Sequence, residues 1–207
     1  MSIKNSCSKP RKGGCHSNGG CCEPNKIPRT ASLQDAIRYY LENCYPRLKK
    51  RLKAFKDLDF PIALEKAALA KEVAEYDKRL DHLRRVTKTA LNQSLKKLKL
   101  QSDEIENSEN FDKLFQIVDK MVAKTKGLGP MYAYDVALRI GGYLEVYPEV
   151  VYLQRGVRVG AEKLLGRKCP ERTLPCSTFT RLKGLNAMGM EDFLCIFKDH
   201  PALGKSE

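Results

Sequence analysis

The sequence predicts an all-α protein, and three observations carry that expectation. Apolar residues recur at helical steps of three and four through most of the chain beyond residue 30. Ala, Leu, Lys, Glu and Arg, the strong helix formers, are frequent, and stretches of strict apolar–polar alternation are few. The 207 residues, 42% of them hydrophobic, supply a core for one large domain or for one domain with an extension. With no Trp, that core must rest on Leu, Val, Ile, Tyr and Phe.

Residues 1–30 form a compositional zone of their own, rich in Gly, Ser, Asn, Pro and Lys and nearly devoid of large apolar side chains. Such a segment cannot bury enough surface to offset its chain entropy, so it is expected to be a flexible, basic, Cys-rich arm. Six Lys/Arg face a single acid, Glu23. A helical arm is expected over 31–104. Ser32 stands as an N-cap ahead of Leu33, Ile37, Tyr40, Leu41 and Cys44. Pro46 suits the first turn of a second helix. Pro61 opens the longest pattern, which runs to about Leu100 with no Gly or Pro to interrupt it. As one helix, 61–100 would span about 60 Å, a length that suits a helical hairpin or a coiled-coil-like arm. Its other face carries Arg79, Arg84, Arg85, Lys88, Lys96, Lys97 and Lys99, either a solvated face or a surface for nucleic acid. "QSDEIENSEN" (101–110) reads as a loop and as the boundary before a compact helical domain over 105–207. That domain opens with a helix over about 111–125, with Leu114, Ile117, Val118, Met121 and Val122 on one face.

The formal net charge of +13 favours a polyanionic partner, nucleic acid or an anionic membrane surface. No apolar run approaches the ~20 residues of a membrane span, and the N-terminus lacks the apolar stretch of a secretory signal. A cytoplasmic protein is therefore expected, with its eight cysteines not forming a disulfide framework.

The most informative stretch is "TKGLGPMYA" (125–133). Gly127 can take the positive φ that ends one helix, Leu128 can plug into the core between the two glycines, and Gly129 leaves the backbone bare. Pro130 pre-sets the first turn of the next helix. Ala133, Val136, Ala137 and Ile140 then give a stripe of small and branched residues for close packing. A tight helical hairpin with backbone N–H groups free at a helix N-terminus suits a phosphate, and Lys124 and Lys126 stand beside it.

This stretch resembles the helix-hairpin-helix motif of DNA-binding proteins, whose pattern apolar-x-G-apolar-G-x-x-x-Ala it follows with Thr125 at the first position; the likeness covers about twenty residues. The resemblance implies largely sequence-independent DNA binding through phosphates, with a monovalent cation at the hairpin. Contacts would come from Lys124, Lys126, Gly127, Leu128, Gly129, Met131 and Tyr132, with Tyr132 exposed for stacking. Arg155 and Arg158, three residues apart on one helix, are second candidates for phosphate. The likeness extends to the endonuclease III-like DNA glycosylases, because "YPEVVYLQRGVRVGAEKLLG" (147–166) falls where that scaffold has an apolar segment followed by a basic helix. The catalytic residues do not carry over. Met131 stands where bifunctional members have a Schiff-base lysine, and Tyr152 where the family has its aspartate; Glu149 is the one weak catalytic candidate if the spacing shifts. Cys169 and Cys176 match only the first spacing of that family's four-cysteine cluster, so an iron–sulfur centre lacks ligands.

Cys7, Cys15, His16, Cys21 and Cys22 fall within sixteen residues and supply enough N and S ligands for zinc, although C-x7-C-H-x4-C-C is not the usual paired spacing. The other reading is a redox-sensitive basic arm. His82 and His200 have no evident nucleophilic partner. "RLKGLNAMGMEDFL" (181–194) reads as a loop entering the last helix. Two alternatives to DNA binding remain open: a diverged DNA-repair glycosylase or lyase, and a helical protein–protein module that dimerises or binds a partner through the long helix.

Overall fold

A computed structural model describes residues 26–73, Leu80 and 83–204; Cys7, Cys15, His16, Cys21 and Cys22 lie outside them. The described chain is mostly helical, with one two-stranded antiparallel sheet. Helix α1 (Leu33–Asn43) starts on a reciprocal cap. Ser32 Oγ accepts from the Asp35 amide at 3.1 Å, and the Asp35 carboxylate accepts from the Ser32 amide at 3.2 Å. Pro46 and Pro61 occupy the first turns of α2 (Tyr45–Lys56) and α3 (Phe60–Ala68), where a missing amide costs nothing.

The apolar pattern of 61–100 is not one long helix. α3 stops at Ala68, and Ala70 takes φ 55°. The Ala70 amide donates to the Ala67 carbonyl and the Lys71 amide to that of Lys66, the pair of bonds that usually closes a helix on glycine. The Leu80 amide donates to the Ala70 carbonyl. α4 (Lys88–Lys99) then restarts on Thr87, whose Oγ1 accepts from the Ala90 amide at 3.2 Å. A left-handed alanine costs about 1 kcal/mol. Folding back offsets that by burying Leu80, Leu83, Leu91 and Leu98 against the same core as Leu64, apolar surface that a projecting helix would leave in water.

The expected loop at 101–110 holds a short helix, α5 (Ser102–Glu106), that buries Ile105. α6 (Phe111–Ala123) starts on Asn110, and α7 (Pro130–Leu144) follows after a six-residue turn. Strand β1 (Val150–Tyr152) pairs with β2 (Thr173–Pro175), Val151 opposite Leu174, and α8 (Arg155–Leu165) lies between them. Asn186 caps the last helix, α9 (Ala187–Phe197), accepting from the Gly189 amide at 2.9 Å.

Two hydrophobic cores result. In the first, α2, α3 and α6 pack around α7 and α4 lies against α3 and α6; in the second, α1 packs with β1, α8 and α9. Each core draws on residues from both sides of 104/105, so the expected division there between an arm and a compact domain does not correspond to how the chain packs. Within the second core, Tyr40 Oη donates to Asp192 at 2.9 Å, and the two cores are tied together by Tyr152. The Tyr152 ring packs edge-on against Phe115 at 4.6 Å, and its Oη donates to Asp112 at 2.5 Å. Arg172 beside β2 adds an ion pair to Asp119 of α6 at 2.7 Å. Cys44 is disulfide-bonded, whereas Cys169, Cys176 and Cys195 are free thiols. No helix among the described residues is long and apolar enough to cross a membrane.

The α8–α9 contact is backbone against backbone. A Cβ on Gly160 would lie 2.3 Å from the Leu194 carbonyl oxygen, so any larger residue forces the helices apart. Gly160→Ala is expected to lower stability by about 1–3 kcal/mol, read as a lower urea midpoint; an unchanged midpoint contradicts this packing.

Candidate nucleic-acid interface

Helix α7 is buried on nearly every side from Tyr132 to Gly142, yet it begins at the surface, where Gly129, Pro130 and Met131 are exposed. The chain reaches it through a turn whose amides are only partly used. Past α6, the Thr125 amide donates to the Val122 carbonyl at 2.8 Å and the Leu128 amide to that of Thr125 at 3.2 Å. Gly127 sits at φ 88°, a conformation that L side chains rarely adopt. Leu128 packs half-buried against the first core. Gly129 is an extended N-cap whose carbonyl accepts from the Tyr132 and Ala133 amides. The amides of Gly127, Gly129 and Met131 have no acceptor among the described residues. Three unused donors thus lie at or beside the positive end of the α7 dipole.

Helix α4 lies beneath this turn. A Cβ on Gly127 would come 3.9 Å from the Ala90 Cβ. Two turns further along the same face, Lys97 Nζ donates to the Lys124 carbonyl at 2.5 Å and to Thr125 Oγ1 at 2.9 Å. Lys97 therefore satisfies a carbonyl at the C-terminus of α6 with a cation, the favourable sign for that end of a helix. No local pattern reveals this role, because the partners lie 27 and 28 residues away.

The two segments that meet here are both basic and free of acids. Residues 83–102 hold Arg84, Arg85, Lys88, Lys96, Lys97 and Lys99 with no Asp or Glu; residues 120–134 hold Lys120, Lys124 and Lys126, again with none. Arg84, Arg85, Lys88, Lys96, Lys124 and Lys126 form no ion pair among the described residues. Elsewhere, surface cations such as Arg38, Lys56, Lys113, Arg167 and Arg172 sit against carboxylates. The acid-free run was countable in the sequence; that it converges with the turn was not.

Tyr132 is not the exposed aromatic that was expected. It is 2% exposed, and its Oη donates to the Ala68 carbonyl at 2.6 Å. Burial pushes its phenol up to about 12. The reason is position: Pro130 and Met131 form the open turn, and one residue later the helix has entered the core. Tyr132 thus ties α7 to the end of α3. Deeper along α7, Arg139 is 3% exposed, 3.4 Å from Asp135 and 5.9 Å from the Phe55 ring centroid. Burial pulls its guanidinium below the usual arginine range, and Asp135 opposes that shift.

Lys124, Lys126, Gly127, Leu128, Gly129 and Met131 therefore come together on one turn. Arg155 and Arg158 belong to α8, which packs chiefly on α9 in the second core. Arg155 is exposed, and Arg158 Nη2 donates to the Leu153 carbonyl at 3.2 Å. Glu149 is exposed beside β1, and Tyr152 is occupied in the aromatic cluster of Phe111, Phe115 and Tyr134.

The two turn glycines have separable roles. At Gly129, φ is −138° and a Cβ meets nothing within 4 Å, and aspartate is a favoured N-cap residue. Gly129→Asp is expected to leave the thermal midpoint unchanged or raised, whereas Gly127→Ala, forced to a positive φ, loses about 1 kcal/mol. Equal losses in both variants contradict this reading of the turn. Comparison of the chain with protein-family models, with curated proteins and with solved structures gives no match.

Proposed function

We propose that this protein binds DNA largely without regard to sequence, holding backbone phosphate at the turn between α6 and α7 as a helix-hairpin-helix would. The observation that carries this reading is the set of exposed amides at Gly127, Gly129 and Met131 with no internal acceptor, framed by Lys124 and Lys126. Backbone donors at a helix N-terminus are a recurrent way to hold phosphate, and they carry no base information. Lys97 holds the turn from below, so the donors are positioned before any ligand arrives. Lys124 and Lys126, both exposed, add long-range attraction. Base-excision or lyase chemistry has less support, because Met131 offers no amine and the Tyr152 hydroxyl already donates to Asp112.

Fluorescence anisotropy with a labelled duplex tests this reading. Four neutralised phosphates would make affinity fall about 100-fold between 50 and 200 mM salt. Gly129→Asp, which keeps the helix cap but sets a carboxylate among the donors, is expected to reduce affinity at least ~10-fold at 50 mM salt, equivalent to ~1.4 kcal/mol. No binding at low salt, or equal binding by Gly129→Asp, would sink the reading.

A further inference from the structure

We infer that α4 is a second contact surface continuous with the α6–α7 turn, and that the partner it selects is double-stranded DNA. The inference rests on the phosphate-binding reading of the turn and extends it to a different helix.

Geometry first joins the two surfaces. Ala90 and Lys97, seven residues apart on one face of α4, both meet the turn: Ala90 opposite Gly127, and Lys97 against Lys124 and Thr125. The adjacent face of α4 is spent on the core through Leu91, Ser94 and Leu98. That leaves Lys88, Thr89, Asn92, Gln93 and Lys96 exposed, with Arg84 and Arg85 exposed just ahead of the helix. Lys99 differs, lying 3.8 Å from Glu65 of α3.

Charge and spacing then define the ligand. Lys88 and Lys96 sit eight residues apart on a rigid helix, about 12 Å, beyond the reach of one phosphate. A duplex presents a negative charge per ~1.7 Å of axis and matches such a row at many registers. The unpaired cations lie on two segments, 83–102 and 120–134, that contain no Asp or Glu, which also disfavours a protein partner of mixed charge.

The missing aromatics decide between duplex and single strand. Surfaces for single strands combine cations with exposed rings on which bases stack. Residues 83–102 contain no aromatic side chain, and the two in 120–134, Tyr132 and Tyr134, are both buried. The described surface offers cations and polar groups for a backbone and no platform for an unpaired base.

Anisotropy titrations of the full chain between 50 and 300 mM salt test the inference. The probes are a 20-base-pair duplex, its separated strands, and vesicles containing phosphatidylserine. Lys88→Ala/Lys96→Ala removes two exposed charges, so its thermal midpoint should not move; its duplex salt slope should be lower in magnitude by about 2. The single strands should bind at least 10-fold more weakly than the duplex. An unchanged slope in the double variant, with Gly129→Asp still defective, would overturn the α4 contact and leave the turn standing. Equal affinity for single strands overturns the duplex assignment. Retention by vesicles at a salt concentration that releases the duplex assigns the surface to membrane and overturns it as well. If Gly129→Asp binds like the parent chain, the reading of the turn has failed, whatever the double variant does.

Discussion

Burial of α7 is the constraint on which the rest depends. A helix enclosed chiefly by α2, α3 and α6 has little solvated side on which to place polar groups, so its composition is mostly apolar from Ala133 to Gly142, with Arg139 held by its own Asp135. The first amides of such a helix cannot be satisfied within it, and burying them would be costly. The chain resolves this by starting α7 at the surface on Gly129 and Pro130. The unused donors are thus a consequence of how the core is built, and the phosphate proposed above would meet their need.

Two side chains hold that arrangement from opposite sides. Tyr132 fixes the first buried turn of α7 to the end of α3. Lys97 fixes the end of α6 to α4. The turn is therefore suspended between three helices rather than left as a mobile loop, which limits the ordering that a bound backbone would require. The same stitching brings the acid-free face of α4 alongside the turn, so packing and charge converge on one surface of the molecule.

Much of this was legible in the chain. Ser32, Pro46, Pro61, Gly127 and Pro130 act locally, and each marks its helix boundary through capping or turn chemistry that depends on near neighbours. What could not be read depends on distant partners. Ala70 adopts a glycine conformation because Leu80 and Leu83 have a core to return to, and no breaker residue announces the turn. Tyr132 shares the helical spacing of an exposed aromatic, yet it lies one residue inside the core boundary, and only the Ala68 carbonyl 64 residues away shows which side it takes. Arg155 and Arg158 share the charge of the turn lysines, but tertiary packing assigns them to the other core.

The most direct test is a ¹⁵N–¹H correlation spectrum of the protein titrated with a short duplex. An open first turn on a buried α7 predicts that the largest amide shifts fall on Gly127, Gly129 and Met131, with a second set on Lys88, Thr89 and Lys96 of α4, while Ala133 to Gly142 stay in place. Shifts confined to α8 and the β1–β2 sheet, or none at saturating duplex, would contradict it.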